Sequence, residues 1–441
     1  MPRMKHFIAG FVGIGVLSTA LFAGDTDRAA ADWPQWRGPD RGNRVADFIP
    51  PATWPTALTK KWKIAVGDGV ASPTLVGDML FVFARQGGDE VIMGINAANG
   101  DVVWSDKYPA AEIGGPARDF KGPRGTPAVA DGKVCTFGTA GVISCHDART
   151  GKPLWKKETK GTPGFKTSYS PVIADGKCIV HSGGGGGFGG GFNKGGGKGK
   201  GGGGKGGGKG GGGKGEIVAY DLADGKEAWK WTGDAPAYAS PILMTVHGAT
   251  IVVAMTTTRA VGLDTATGKL LFEKPFRAAR YDNTVTPIAS GDTLILAGNG
   301  TGTLALKVEK NGDAFQVKEL WKSEQSPHMY NSPTLKDGRI YGLSGSGRGG
   351  ARLYCLDAKT GDIVWEDKTS RGSCGSILDA GSVMLALSSD SNLLAFKPGG
   401  DKYEELARIK VAETETWTVP IVTGKRVFVK DKNSLILWTF E

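Results

Sequence analysis

Five histidines and five cysteines are the residues from which catalysis or metal binding is most readily built, and their spacing in this chain builds neither. His6, His146, His181, His247 and His328 form no HExxH and no i,i+4 pair, the spacing that sets two imidazoles on one helical face around zinc. Cys135, Cys145, Cys178, Cys355 and Cys374 contain no CxxC and no Cys/His zinc spacing. There is no GxSxG nucleophile elbow. The GSGRGG around Ser344 and Arg348 has the composition of a phosphate loop but joins two strands instead of opening a helix. An odd cysteine count leaves at least one thiol unpaired in a monomer, the state expected here. Cys135 and Cys145 flank a hairpin turn and can face each other in a cross-strand disulfide. Cys145 and Cys355 equally fit a position that elsewhere holds Gly or Ala. His146, at an apolar strand position, reads as a packed residue.

A second set of residues points to binding. Val70, Arg124, Ser168, Tyr238, Thr284, Tyr330, Cys374 and Trp417 each stand three residues before a recurring position that is usually proline. If the recurrence closes into a ring, equivalent positions converge on its axis. Tyr238, Tyr330 and Trp417 can then stack on a flat ligand, and Arg124 can pair with a carboxylate. Tyr169, Asn283, Asn331, His328, Arg371 and Glu415 add polar groups nearby. The same residues can also simply fill a channel and solvate its rim. No catalytic residue is assigned among them.

The recurrence itself is clear. A Ser-Pro or Thr-Pro pair precedes an apolar strand at Ser72-Pro73, Thr126-Pro127, Ser170-Pro171, Ser240-Pro241, Thr286-Pro287 and Ser332-Pro333, with Ser376-Ile377 and Val419-Pro420 completing eight. Proline has no N–H to give a ladder, so it suits the start of an edge strand. Each unit ends in a small residue, an acidic or polar residue, a Thr-Gly-type turn and an aromatic. The clearest copies end at Trp104, Trp155, Trp229, Phe272 and Trp365, a looser one at Trp321, and a degenerate one near Ile409. The eighth begins in SLILWTFE and takes Glu441 as its acidic position, and its missing aromatic, Trp62, lies at the front. Self-similarity at a period of about 45 residues marks a propeller or solenoid. A unit split between the two ends of the repeat array marks a closed ring, so the fold expected is all-β, an eight-bladed β-propeller of four-stranded antiparallel blades closed by an N-terminal strand.

Within each unit the chemistry is structural. Asp147, Asp221, Asp264 and Asp357 can accept from turn N–H groups, and Gly151, Gly225, Gly268 and Gly361 supply positive φ. Two residues before the acidic position every unit is small: Gly94, Cys145, Ala219, Gly262, Ala305, Cys355, Ala395 and Thr439. That suits a close contact between adjacent sheets. Trp62, Trp104, Trp155, Trp229, Phe272, Trp321 and Trp365 are expected to wedge between blades.

Residues 1–23 have a basic start at Arg3, Lys5 and His6 followed by an apolar run from Phe7 to Ala23, the pattern of a signal peptide cleaved after Ala23 or as late as Ala31. No cysteine follows for lipid attachment, and no other stretch is apolar enough to span a membrane. Export and a soluble mature protein are expected, in the periplasm or outside the cell. An extension over 32–57 precedes the ring at 58–441. The net charge of +10 owes six units to Lys194, Lys198, Lys200, Lys205, Lys209 and Lys214, all in a Gly/Lys-rich insert at 183–215. Such a segment cannot bury a core and reads as a disordered surface loop. Without aromatics between its lysines it lacks the stacking groups of a single-strand nucleic-acid binder.

The AxDxxTGxxxW core with its preceding Ser/Thr-Pro resembles the pyrroloquinoline-quinone (PQQ) repeat family over about residues 58–441. The segment DWPQWRGPDRGN at 32–43 resembles the Trp-rich leading segment of secreted bacterial members. The resemblance implies one of two activities. Quinoprotein dehydrogenases oxidise alcohols or sugars with PQQ and calcium. BamB-like members are non-catalytic scaffolds of outer-membrane β-barrel assembly. This chain has no adjacent Cys-Cys pair and no Asp/Glu/Asn set matching the dehydrogenase calcium and base motifs. The expectation is therefore a non-catalytic exported scaffold without cofactor, binding an envelope protein or extracellular ligand and no nucleic acid. A PQQ-dependent alcohol or sugar dehydrogenase is the alternative.

Overall fold

The computed structural model describes residues 32–111, 119–159, 167–183, 214–279, 283–324, 330–345 and 350–441. The signal-like segment at 1–31, most of the Gly/Lys insert, His328 and Arg348 lie outside the described residues. Gly183 and Lys214–Gly215, at the insert's margins, belong to paired strands of one blade.

Every regular element among the described residues is a β-strand, and the strands form eight four-stranded antiparallel sheets in a propeller. Seven sheets take their strands consecutively from the chain. The eighth joins Ile421–Thr423, Arg426–Lys430 and Ser434–Thr439 to the N-terminal strand Thr59–Ala65, so the ring closes as expected. Blades are numbered here in chain order, blade one running from Thr74 to Pro109.

Each recurring proline immediately precedes an innermost strand, as at Pro73 before Thr74–Val76 and Pro171 before Val172–Ala174. Blade seven lacks the proline, and its inner strand starts earlier, at Gly375, because Gly375 and Ser376 pair with Ser388 and Leu387. The hydroxyl before each proline has a role that the proline argument does not supply. The backbone N–H of Ser72 donates to Thr126 Oγ1 (3.1 Å), that of Thr126 to Ser170 Oγ (3.0 Å), and that of Ser170 to Ser240 Oγ (3.0 Å). Ser240 and Thr286 continue to Thr286 Oγ1 and Ser332 Oγ, and Val419 N–H returns to Ser72 Oγ. This girdle ties the inner strands of blades one to six in succession and that of blade eight back to blade one. Between blades six and seven the link runs the other way, Asn331 Oδ1 accepting from Gly375 N–H (3.0 Å).

The aromatic of one blade docks on the turn of the next. The indole N–H of Trp104 donates to Ala148 O (3.0 Å), Trp155 to Leu222 O (3.1 Å), Trp229 to Thr265 O (2.9 Å) and Trp321 to Ala358 O (3.0 Å). Trp62 reaches Ala97 O (3.3 Å). Phe272 is buried without such a bond, and the buried Trp365 Nε1 has no acceptor. The turn glycine lies under the ring: a Cβ on Gly151 would sit 2.4 Å from Trp104, and Gly151 has φ +72°. The turn aspartates accept as expected, as in Thr150 N–H to Asp147 Oδ1 (2.7 Å).

The ladder corrects three readings. The small residue faces the aromatic of its own blade, Gly94 opposite Trp104 and Cys145 opposite Trp155, and makes room for that ring. In blade eight Leu437 faces Trp62, so its frame lies two residues earlier than Thr439 and Glu441 suggest. In blade seven Ala407 takes the aromatic position instead of Ile409. Cys135 and Cys145 do pair across strands, but all five thiols are free and buried. His146 is buried, with Nε2 2.8 Å from Asp106 Oδ2.

Candidate functional site: an aromatic mouth above a plugged channel

The residues that precede the inner strands gather at one face of the ring. The Tyr238 and Tyr330 rings meet edge to face at 6.4 Å. Trp417 meets Phe120 edge to face at 5.1 Å, and Arg124 Nη2 donates to Phe120 O (3.3 Å). Ser168 Oγ donates to Tyr238 O, and Tyr330 N–H to Thr284 Oγ1. Tyr330 is 49% exposed and holds φ +59°, a conformation uncommon for a bulky residue. Burial lowers the Arg124 pKa, an effect opposed by Tyr238 and Glu90.

Four further residues expected near this mouth have their side chains held in the packing. Tyr169 is buried against Phe137 and His181, its hydroxyl without a partner. Asn283 clamps a bend, accepting from Ala278 N–H and donating to Thr256 O and Phe276 O. Asn331 spans blades six and seven by donating to Leu343 O and accepting from Gly375 N–H. Arg371 pairs with Asp367 and Glu405 and lies over the Tyr403 ring, 4.9 Å away, beside an outermost strand. Asn283 borders the mouth through its backbone oxygen, which accepts from Tyr238 N–H and Ala239 N–H, but its side chain and those of the other three are committed to backbone groups, ring packing or the blade flank.

Beside Trp417 is a cavity of about 160 Å³ lined by Asp68, Asp119, Phe120, Glu415, Asp431 and Lys432 among others. Lys430, fully buried, donates to the backbone oxygens of Gly69 and Asp431 behind it. Burial pushes its pKa down to about 8 against the opposing pull of Asp431 and Asp68. Sequence reading missed Phe120 and Lys430. Phe120 lies four residues before Arg124, and no repeat position marks it. Lys430 sits in an apolar strand where only its charge was a signal.

The opposite face is closed. Residues 32–49 cross the ends of the inner strands, pairing with Leu75, Asp379 and Gly424 and accepting at Pro34 O from Val129 N–H. Two side chains reach up the channel. Arg37 donates to Pro333 O (2.6 Å); Arg41 donates to Pro241 O (2.8 Å) and Pro171 O. The guanidinium fork thus satisfies carbonyls of the recurring prolines, which an edge strand leaves open. Asn43 donates to Ile377 O (2.8 Å).

Calcium takes six to eight oxygen ligands. Among the described residues no three of His, Cys, Asp and Glu are grouped to hold a metal ion. PQQ carries three carboxylates, and the cavity beside Trp417 is walled by four acidic residues against Lys432. These residues do not fit a calcium-bound quinone.

Fold and repeat define the chain as a PQQ-repeat β-propeller. The model of the outer membrane protein assembly factor BamB family matches residues 112–367 and 318–441, and the chain belongs to that family. It is similar to polyvinylalcohol dehydrogenase of Sphingopyxis sp. (strain 113P3), 25% identical over 364 residues, covering 75% of this chain and 50% of that one. It is also similar to 1-butanol dehydrogenase (cytochrome c) of Thauera butanivorans, 27% identical over 193 residues, covering 42% and 27%. The chain thus spans half or less of the length of these curated relatives. Among solved structures, BamB from Moraxella catarrhalis aligns with a TM-score of 0.59 at 16% identity, covering 87% of this chain and 98% of that one. Quinohemoprotein alcohol dehydrogenase from Comamonas testosteroni aligns with a TM-score of 0.63 at 16% identity, covering 94% and 81%. At these identities both show the shared propeller fold. No helix among the described residues is long and apolar enough to cross a membrane.

Proposed function

We propose that this chain is an exported, non-catalytic propeller of the bacterial envelope that holds a protein partner or envelope ligand at its aromatic mouth, as the family description of an assembly factor suggests. The observation that carries this reading is the composition of the mouth. Phe120, Trp417, Tyr238 and Tyr330 offer ring faces and edges, and Asp68, Asp119, Glu415 and Asp431 set negative charge beside Phe120 and Trp417. Such a surface favours an apolar or cationic protruding group and opposes a tricarboxylate quinone. The second reading, a PQQ-dependent alcohol or sugar dehydrogenase, draws support from the named activities of the relatives.

Thermal unfolding with and without PQQ, each with and without calcium, separates the two. A ligand at 100 times its dissociation constant stabilises by about 2.7 kcal/mol. No shift is expected. A calcium-dependent rise, together with dye-linked alcohol oxidation, would replace the scaffold reading by the enzyme one.

A further inference from the structure

The cavity beside Trp417 is small and its charges do not balance. Its volume of about 160 Å³ lies below the roughly 300–1,000 Å³ of small-molecule sites and suits a single side chain. The carboxylates of Asp68, Asp119, Glu415 and Asp431 line it together with Lys432. Even with Lys430 counted behind it, negative charge is in excess by two. Arg124 is outside the lining and donates to Phe120 O.

Two of the carboxylates are open. Asp431 is only 4% exposed. Its carboxylate accepts from Asn433 N–H (3.1 Å) and Ser434 N–H (2.7 Å), both on Oδ1. Oδ2 has no hydrogen-bond or ion-pair partner among the described residues, yet it is open to solvent. The side chain is otherwise buried and lines the cavity, so the opening at that oxygen is the cavity itself. The ammonium of Lys430 does not serve it, being engaged by the backbone oxygens of Gly69 and Asp431. Asp68 comes from a different segment. Its backbone is fixed by two hydrogen bonds with Arg85 (2.9 and 2.7 Å), while its carboxylate has no partner among the described residues. Charge withdrawn from water is costly unless a partner compensates it. The rings beside these groups are held in place. Glu415 Oε2 accepts from Trp417 Nε1 (3.3 Å), and Phe120 meets the indole at an interplanar angle of 77°.

We infer that this cavity receives the guanidinium of an arginine side chain carried by a protein partner, with Asp68 and Asp431 Oδ2 accepting its N–H groups beside the Trp417 and Phe120 rings. The inference rests on the reading of the mouth as the binding face and names the group bound there. Acceptors from two separate segments suit the five fixed donors of a guanidinium. Its weakly hydrated plane also packs on aromatic rings, whereas an ammonium is a compact, strongly hydrated point charge.

The test uses the full chain labelled with fluorotryptophan, following the fluorine resonance of Trp417, assigned by its loss in Trp417→Phe. The probes are N-acetyl-arginine amide, N-acetyl-lysine amide and N-acetyl-citrulline amide, the last keeping the shape of arginine without its charge. A saturable shift is expected with the arginine probe, and binding about tenfold weaker or worse with citrulline. Asp68→Asn removes no hydrogen bond of the fold and should weaken arginine binding about tenfold, the other tryptophan resonances staying in place. No saturable shift, an equal response to citrulline or to lysine, or indifference to Asp68→Asn overturns the inference. Capture of envelope proteins by the immobilised chain separates this failure from failure of the mouth reading. Capture that survives Asp68→Lys but falls with Trp417→Ala leaves the mouth as the binding face and removes the arginine. Capture that survives both removes both.

Discussion

The two faces of the ring are built from the same inner strands and finished in opposite ways. Below, buried arginines reach neutral carbonyls and lock a non-repeated segment into the channel. Above, aromatic rings stand partly exposed among carboxylates, and Tyr330 projects from a left-handed backbone. The lower face is closed by buried bonds, and the upper leaves aromatic surface accessible. The repeat builds a wall that both faces share. What each end does is decided by residues that occur once.

Substitutions can sharpen that contrast. The largest loss is expected in the shared wall: Trp365→Ala should cost about 3–5 kcal/mol in equilibrium urea unfolding, since Trp365 is buried among Tyr341, Phe396 and Tyr403. A loss under about 0.5 kcal/mol would remove the aromatic from its docking role. On the lower face Arg41→Ala should cost about 3 kcal/mol, because Pro171 O and Pro241 O lose a donor while remaining buried. A neutral result would mean that water serves those carbonyls equally well.

Lys430 gives a pH-dependent test near the mouth. Its folded pKa of about 8 lies below the ordinary value of about 10.4. Between those values the unfolded chain binds more protons, so this residue's contribution makes stability rise with pH across that window. Relative to Lys430→Met, the wild type should gain about 2–3 kcal/mol between pH 8 and about 10.5, read by urea unfolding at both ends. Parallel curves would show that the buried amine keeps its ordinary pKa and stays charged across the window. The smallest effect belongs to the mouth itself. Trp417→Ala and Tyr330→Ala should change stability by no more than about 0.5 kcal/mol while weakening partner capture by the immobilised chain. A large stability loss would make the mouth part of the wall.

The propeller was legible because its determinants recur. A proline before each edge strand, a glycine under each tryptophan and an aspartate at each turn announce themselves by repetition. Register was less legible: blades seven and eight lack the full motif, and only the ladder shows Ala407 and Leu437 in the aromatic and small positions. Spacing alone sets Arg124, Tyr238, Tyr330 and Trp417 on one face, since they occupy equivalent positions of the repeat. What engages the side chains of Tyr169, Asn283, Asn331 and Arg371 was not legible, because adjacency in sequence fixes neither side-chain direction nor burial. The plug was harder still. DWPQWRGPDRGN showed its arginines, but their acceptors are backbone carbonyls, which every residue has and no sequence marks.

The plug's bonds to Pro171, Pro241 and Pro333 span 130, 200 and 296 residues. Closing such loops costs chain entropy before any contact rewards it, and proteins dominated by such contacts fold slowly. We therefore expect the arginines to engage only once blades three, four and six stand together. On that expectation they form a clasp, set late in folding and released early in unfolding. A cut between this segment and the ring should leave a complete set of blades that opens faster, with little change in how quickly the blades first assemble.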